Sequence, residues 1–464
     1  VSPFEWTDAR VREALGLPPE EGTAALRFTG VSTDTRTLGE GDLFVALEGE
    51  RFDAHGFLGE AARRGARAAI VSDGDTAGDD LPRYRVENTL VALGALAGYR
   101  RRALPWRIVG VTGSSGKTTV KEVLAAALGS SFPVYATRGN LNNRIGLPLT
   151  LLEAPEDARV LVVELGTNEP GEIGILTAIL APDASLVVTV SETHLEGLGS
   201  LEGVVAEKLA LLEGTRSDGP VLVGDEPPVL AERARKMRPD VRIAGFSDRA
   251  DDELRGELLR PDLHGRYVFR FRGREVRGSL PGRHGAMNLL LALSMAHLLG
   301  AELDAAVPPA SSVGPPALRG EVLEMGGLHL ILDCYNANPQ SVRAALDLLV
   351  DLPRAGEKVA FLGSMLELGD RAPELHREVL GLACGLPLCA VVAVGDFNVG
   401  TGGAEGGPLL LSADSPEEGY ELLRPYLTGS ETVLLKASRG VALERLVERF
   451  RQDFGEASAT GEEA

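Results

Sequence analysis

The sequence predicts an α/β protein of three domains, with a phosphate-binding parallel sheet at its centre. Three observations predict it. A length of 464 residues accommodates about three domains at roughly 150 residues each. From Trp106 onward, short β-branched runs alternate with helical stretches, the pattern of a mostly parallel sheet covered on both faces. The first of those strands runs into a Gly/Ser-rich turn, IVGVTGSSGKTT at 108–119, that opens a helix.

The elements follow in order. Residues 42–47 and 68–72 read as strands, and 57–65 and 89–102 as helices. Leu104 and Pro105 break the second helix, which sets a small N-terminal α/β domain at residues 1–104. In the central domain, 105–312, strands are predicted at 107–111, 160–164, 185–190, 221–224 and 241–245. Helices are predicted at 117–128, 172–180, 201–213 and 229–236. Residues 266–280 alternate about Gly273 and predict an antiparallel hairpin appended to that sheet, followed by an apolar helix at 287–299. PPASSVGPP at 308–316 reads as a linker. The third domain, 313–464, opens with a hairpin at 321–325 and 328–332. Helices follow at 339–349, 373–384, 416–427 and 441–450, with strands at 358–362, 390–394 and 432–435. The polar tail after Gly455 is expected to be disordered.

Composition narrows the function. Hydrophobic residues are 44% and charged residues 25%, ordinary for a globular chain. A formal charge of −20 repels nucleic acid and anionic lipid, so no nucleic-acid partner is expected. No apolar run approaches the ~20 residues needed to cross a bilayer, and residues 1–10 lack a signal pattern. A cytoplasmic protein without membrane insertion is expected. Cys334, Cys384 and Cys389 are too few and scattered for a disulfide framework or a zinc site. Six of the 47 basic residues are lysine: Lys117, Lys121, Lys208, Lys236, Lys358 and Lys436. In so arginine-rich a chain each lysine invites a reason.

The loop at 108–119 carries the most specific chemistry. Gly110, Gly113 and Gly116 let backbone N–H groups converge on phosphate oxygens, and the helix N-terminus adds a positive dipole. Gly113, Ser114, Ser115, Gly116 and Thr119 form the cradle. Lys117 would reach the β/γ-phosphates and Thr118 would ligate Mg²⁺. Val111 stands where the strict pattern has its first glycine. The motif indicates a nucleoside triphosphate, and the absence of Asn-Lys-x-Asp favours ATP. Glu164 ends its strand at the ligand-binding edge of the sheet, where a carboxylate either holds Mg²⁺ or is simply solvated. His194 follows the next strand, as a metal ligand or a structural histidine. By spacing alone Lys208 is a surface lysine.

TGSSGKTT, ELGTNEPGEI and ETHLEGLGSLEGVVAEK together resemble the central domain of the Mur ligases, the ATP-dependent amide-forming enzymes of peptidoglycan synthesis. The resemblance runs nearly end to end. Residues 32–57 resemble the family's UDP-binding motif. TRGNLNNRIGLPLTLL at 137–152, DCYNANPQSVRAAL at 333–346, GSMLELGD at 363–370 and LKASRG at 435–440 resemble one branch, which joins D-alanyl-D-alanine to UDP-N-acetylmuramoyl-tripeptide. YNANP at 335–339 discriminates it from the branch adding the third stem residue, which has a Tyr-Ala-His-Thr-Pro type string there.

The resemblance implies a Rossmann-like C-terminal domain and an acyl-phosphate mechanism with two Mg²⁺ ions. Thr118 and Glu164 would hold the ion on ATP. His194 and a carbamylated Lys208 would place the second, which moves Lys208 from surface to site. Lys117, Glu164, His194 and Lys208 become the catalytic set. GRHGAMN at 282–288 resembles the adenine-contacting segment, with Asn288 kept and Gly285 replacing the usual first asparagine. Arg319 would reach the ATP phosphates and Asp333 the ribose. Lys436, Ser438 and Arg439 would meet the dipeptide carboxylate, with Asn336 and Asn338 also facing substrate. Thr35 and Arg36 would contact UDP, and Asn142 and Asn143 the muropeptide. A monomer is expected. Three alternatives stand beside this: the ligase adding the third stem residue, a P-loop ATPase switch, and a catalytically dead binding protein of the same fold.

Overall fold

The computed structural model describes residues 4–455, apart from 21, 23–24, 50–51, 73–80, 263, 354–355 and 399–406. The tail after Gly455 lies outside the described residues. The first sheet is parallel, in the order Val31–Ser32, Leu43–Val45, Ala68–Ser72, Arg83–Val86. The outer two strands escape a periodicity reading, one being two residues long and the other charged at alternate positions. Helix Thr89–Ala103 starts where the Asn88 side chain accepts from the amides of Leu90 and Val91. Its Ala92, Leu93 and Leu96 share a core with Leu43, Val45, Ile70 and Tyr84.

The central sheet has six parallel strands in the order Val134–Ala136, Val160–Glu164, Arg107–Thr112, Ala184–Val187, Val221–Gly224, Arg242–Ala244. Ile108, Val109, Val111, Leu161, Val162 and Val163 are fully buried, as strands covered on both faces must be. The chain leaves Arg107–Thr112 in one direction and its neighbour Val160–Glu164 in the other. Right-handed crossovers therefore place helix Lys117–Gly129 on one face and helices Gly146–Glu153 and Glu172–Leu180 on the opposite face. Between these two strands, at their carboxyl ends, lies the crevice where such sheets bind ligands. Strand Val134–Ala136 and helix Gly146–Glu153 were not predicted. One is a three-residue edge, and the other begins with Gly-Leu-Pro.

Two central features differ from expectation. The hairpin Tyr267–Phe271 and Arg274–Arg277 forms, turning through Arg272 and Gly273 at positive φ. It does not extend the main sheet. Glu257–Pro261 joins it in a separate three-stranded antiparallel sheet. Its Phe269, Phe271 and Val276 instead bury themselves in one core with Leu289, Leu290 and Leu293 of helix Gly282–Leu298. The expected linker at 308–316 is helical in its first part, because helix Leu303–Ser312 runs through Pro308 and Pro309. Burial of Leu303, Ala306 and Ala310 outweighs the hydrogen bonds that the prolines remove.

The third sheet follows the order Glu321–Met325, Leu328–Asp333, Thr432–Lys436, Lys358–Leu362, Ala390–Val394, Leu409–Ala413, antiparallel only in its first pair. Leu409–Ala413 is an unpredicted edge strand. The last helix begins at Leu446 rather than 441, because Ala442 adopts a left-handed φ of 59°. Among the described residues, no helix is long and apolar enough to cross a membrane.

Arg101 ties the N-terminal helix to the central sheet. It donates to the carbonyls of Leu180, Ala181 and Trp106 at 3.0 Å and to Asp183 Oδ2 at 2.7 Å. Asp183 in turn accepts from the Ile108 amide at 2.8 Å. Arg101→Met would leave three carbonyls and a nearly buried carboxylate without that partner. The expected loss is about 3 kcal/mol, read by calorimetry as a lower unfolding midpoint. An unchanged midpoint would show the tie to be dispensable.

Candidate active site

Strand Arg107–Thr112 delivers the chain to the crevice, and residues 113–116 turn it into helix Lys117–Gly129. Gly116 caps that helix at φ 78°, and a Cβ there would lie 2.6 Å from Asn288 Oδ1. Only glycine fits both the dihedral and the space. Ser114 is turned inward. Its amide donates to the Thr189 carbonyl at 2.8 Å, and its hydroxyl accepts from the Ser191 amide at 2.9 Å. Ser114 therefore holds the loop to the next strand's exit. Lys117 curls over the loop, donating to the Gly113 carbonyl at 2.8 Å. Burial holds its pKa below the usual lysine range, against the pull of Glu164.

Glu164 ends its strand nearly buried, at 2% exposure. Its Oε1 accepts from Asn142 Nδ2 at 2.8 Å. Its Oε2 has no hydrogen-bond partner among the described residues. An orphaned, buried carboxylate oxygen facing a phosphate loop marks a place for a cation or a cationic group. Among the described residues, no three His, Cys, Asp or Glu side chains gather into a self-sufficient metal site.

His194 sits at a left-handed φ of 52°. Its Nδ1 lies 2.6 Å from Glu367 Oε2, a close contact whose angle does not make it a hydrogen bond. Contact with His194 holds the Glu367 carboxyl below its ordinary pKa. Lys208 corrects the spacing-only reading. It is 1% exposed, on helix Leu201–Glu213. Burial, then the charge of Lys117, lowers its pKa to about 7, while Glu207 and Glu172 pull the other way.

One cavity of about 550 Å³ joins these groups to the third domain. Ser114, Ser115, Gly116, Lys117, Thr118, Thr119, Asn142, Asn143, Glu164, His194, Asn288, Arg319, Asp333, Asn336, Asn338 and Lys436 line it. Gly113, Thr35, Arg36, Lys208, Ser438 and Arg439 do not. Lys208 is buried outside that lining, where the charge of Lys117 still reaches it. Thr35 is buried in the N-terminal domain, and exposed Arg36 is bound to Asp34.

Several side chains prove to be engaged in architecture. Asn338 caps helix Pro339–Asp351 in a reciprocal box with Ser341. Asn143 Oδ1 accepts from the amides of Ile145 and Gly146, just where helix Gly146–Glu153 begins. Ser438 Oγ accepts from the Leu366 amide at 2.9 Å, and Arg439 lies 2.9 Å from Glu444. Lys436 is buried, donating to the Asn336 carbonyl at 2.6 Å and lying 3.1 Å from Asp333 Oδ2. Its ammonium steadies Asp333 at the cavity wall. Arg319 stacks on Tyr335, 4.0 Å from the ring centroid, and both line the cavity.

Sequence reasoning missed His284, Glu207 and Glu367. His284 lies in the quoted segment at 282–288 and lines the cavity. Its pKa is lowered chiefly by burial, with Asp333 opposing. Glu207 accepts from the amides of Gly171 and Ile173 and from the Thr167 hydroxyl, which fixes the loop after Glu164. Its only signal was its place beside Lys208. Glu367 lay within the quoted 363–370 string. At Gly285, a Cβ would lie 2.8 Å from Leu280 Cβ and 2.9 Å from its carbonyl, so this backbone has no room for an asparagine.

Gly116→Ala would combine a left-handed backbone with a clash against Asn288. It is expected to weaken ADP binding by at least about tenfold, measured by calorimetric titration. Wild-type affinity would show that the loop tolerates a side chain there.

Comparison with known proteins gives matches over three segments of the chain. Family models match over residues 27–101 (Mur ligase family, catalytic domain), 111–296 (Mur ligase middle domain) and 318–439 (Mur ligase, glutamate ligase domain). The chain is 34% identical to a UDP-N-acetylmuramoyl-tripeptide–D-alanyl-D-alanine ligase of Bacillus subtilis, covering 94% of this chain and 95% of that one. It is 34% identical to the Escherichia coli protein of the same name, covering 93% and 95%. A crystal structure of MurF from Acinetobacter baumannii superposes with a TM-score of 0.86 at 29% identity, covering 97% of this chain and 99% of that one. MurF from Thermotoga maritima, in complex with ADP, superposes with a TM-score of 0.80 at 28% identity, covering 92% and 97%. With all three of its domains matched and its length covered almost throughout, the chain belongs to the Mur ligase family.

Proposed function

We propose that this chain is an ATP-dependent ligase that joins D-alanyl-D-alanine to UDP-N-acetylmuramoyl-tripeptide, through an acyl phosphate, in peptidoglycan precursor synthesis. The observation that carries this reading is the cavity in which Lys117 and the free oxygen of Glu164 face Arg319, Asp333 and the 335–339 string across two domains. Similarity to relatives of that activity along nearly the whole chain supports it. In this reading residues 1–104 bind the UDP-muropeptide, 105–312 bind ATP, and 313–464 close over it and bind the acceptor. A monomer is part of this reading. Both substrates are water-soluble, which suits a cytoplasmic enzyme.

The chemistry asks two anions to meet. The tripeptide carboxylate attacks the γ-phosphorus and ADP leaves. The dipeptide amine then attacks the acyl carbon, and phosphate departs from a tetrahedral centre. Charge neutralisation is the main demand. Lys117, the amides at the start of helix Lys117–Gly129, and Arg319 supply positive charge around the phosphates. The Thr118 hydroxyl and Glu164 are hard oxygen donors suited to Mg²⁺ that arrives with ATP, and one carboxylate with one hydroxyl is the sparse protein set that ion takes. Mg²⁺ supplies further neutralisation of the transferring phosphoryl group. His194, with a carboxylate made on Lys208, would hold a second ion beside the acyl phosphate. Carbamylation needs a neutral amine, and an amine titrating near 7 supplies one. The Lys208 nitrogen bonds the carbon of CO₂ and releases a proton, leaving a carbamate. Asp333, which Lys436 steadies, would meet the ribose hydroxyls. The 335–339 string supports the D-alanyl-D-alanine branch over the one adding the third stem residue.

Phosphate release from ATP is expected to require UDP-N-acetylmuramoyl-tripeptide and to rise with D-alanyl-D-alanine as amide product forms. Release indifferent to the dipeptide, without amide, would sink the assignment and favour an ATPase switch. Lys208→Ala is expected to abolish turnover while leaving ATP binding nearly intact. In the wild type, turnover should fall as pH drops through about 7, because protonated Lys208 cannot take up CO₂. It should also fall when dissolved CO₂ is removed. Turnover by Lys208→Ala at the wild-type rate would remove the residue from the site.

A further inference from the structure

Lys121 sits one turn beyond Lys117 on the phosphate-loop helix, and the mechanism above makes no use of it. Its side chain is fully buried. Its ammonium donates to the Thr137 carbonyl at 2.5 Å and lies 2.7 Å from Glu122 Oε1. An ammonium is costly to bury, and an apolar side chain would serve the packing of that helix better. What it gains is control of Thr137.

Thr137 stands where the edge strand parts from its neighbour. Pairing runs from Val134 opposite Val160 to Ala136 opposite Val162. The Thr137 amide still donates to the Val162 carbonyl at 3.0 Å. In a continuing parallel ladder the next bond would run from the Glu164 amide to the Thr137 carbonyl. Here Lys121 has taken that carbonyl, and the Glu164 amide donates to the Thr137 hydroxyl at 3.0 Å. The exchange ends the strand and turns residues 138–143 back over the sheet edge. There Asn142 Nδ2 donates to Glu164 Oε1 at 2.8 Å, and its carbonyl accepts from the Gly166 amide at 2.7 Å.

We infer that Lys121 is a positioning residue: by claiming the Thr137 carbonyl it fixes the loop that aims the Glu164 carboxylate, and so sets the affinity for the Mg²⁺ that accompanies the nucleotide. The inference rests on the reading of Glu164 as the carboxylate for that ion.

Calorimetric titration of the full chain with ADP, in EDTA and in Mg²⁺, tests it. Lys121→Met is expected to leave binding in EDTA nearly unchanged. It should cut the Mg²⁺-dependent gain in affinity by about tenfold and raise the Mg²⁺ concentration for half-maximal turnover by a similar factor. Thr137→Val, which keeps the side-chain shape but removes the hydroxyl under the Glu164 amide, should change both in the same direction. Wild-type Mg²⁺ dependence in Lys121→Met overturns the inference. Equal losses in EDTA and in Mg²⁺ overturn it too, because they mark a general structural role. Should Lys121→Met fail to fold, Thr137→Val decides, and an unchanged Mg²⁺ dependence overturns the inference. Glu164→Gln separates the two levels: if it keeps the wild-type Mg²⁺ dependence, the reading of Glu164 itself fails.

Discussion

The buried carboxylate of Glu164 is the constraint on which the site depends. A carboxyl group held at 2% exposure, with one oxygen lacking a hydrogen-bond partner among the described residues, is tolerable only if the surroundings supply compensation. The neighbouring sequence does so in layers. Asn142 satisfies one oxygen, and the Lys117 charge approaches from the phosphate loop. The sheet makes this possible, because two adjacent parallel strands end side by side, one opening the phosphate loop and the other ending in the carboxylate.

Gathering cations for anionic substrates has its own cost. Lys117 and Lys208 are close enough that the first lowers the pKa of the second, beyond what burial does alone. The folded pKa of Lys208, about 7, lies below the unfolded lysine value of about 10.4. Between those values the unfolded chain binds the extra proton, so this residue makes the fold less stable as pH falls through that window. Below about 7 the deficit is complete. The site keeps a group that opposes folding at neutral pH, and a largely neutral buried amine is what it gains.

Much of this was legible. Strands 107–111, 160–164 and 221–224 are continuous apolar runs bounded by turn residues, and a glycine-rich turn between strand and helix has few uses besides phosphate binding. Residues of the second rank were harder to read. Glu207 and Lys208 look like a solvated pair, because nothing local reveals that both helix neighbours and the 167–173 loop cover them. Asn338, Asn143 and Ser438 carry the right polar atoms for substrate, but each spends an oxygen on a backbone amide, a choice set by tertiary geometry. Short edge strands such as Val134–Ala136 carry too few residues to show a period. Yet that edge, released by Lys121, is what brings Asn142 to Glu164.

The third domain reaches the site by a contact of mixed character. Leu195 and Leu198 of the central domain share one core with Met365 and Leu368 of the third, and such burial holds two surfaces together without fixing their register. Register comes from charge and backbone. Glu367 meets His194, and Arg371 meets Glu192, across the same seam. His194 and Glu367 both occupy left-handed backbone, a conformation non-glycine residues hold only when their surroundings enforce it. The enforcement is visible around Glu367: the Met365 amide donates to His376 Nε2 at 2.9 Å, and the Leu366 amide to Ser438 Oγ at 2.9 Å. Glu367 is thus presented by a loop fastened on its own domain, to a histidine on the other. Glu367 comes from the third domain, so one neighbour of His194 is supplied across the seam and the surroundings of this histidine are built by both domains.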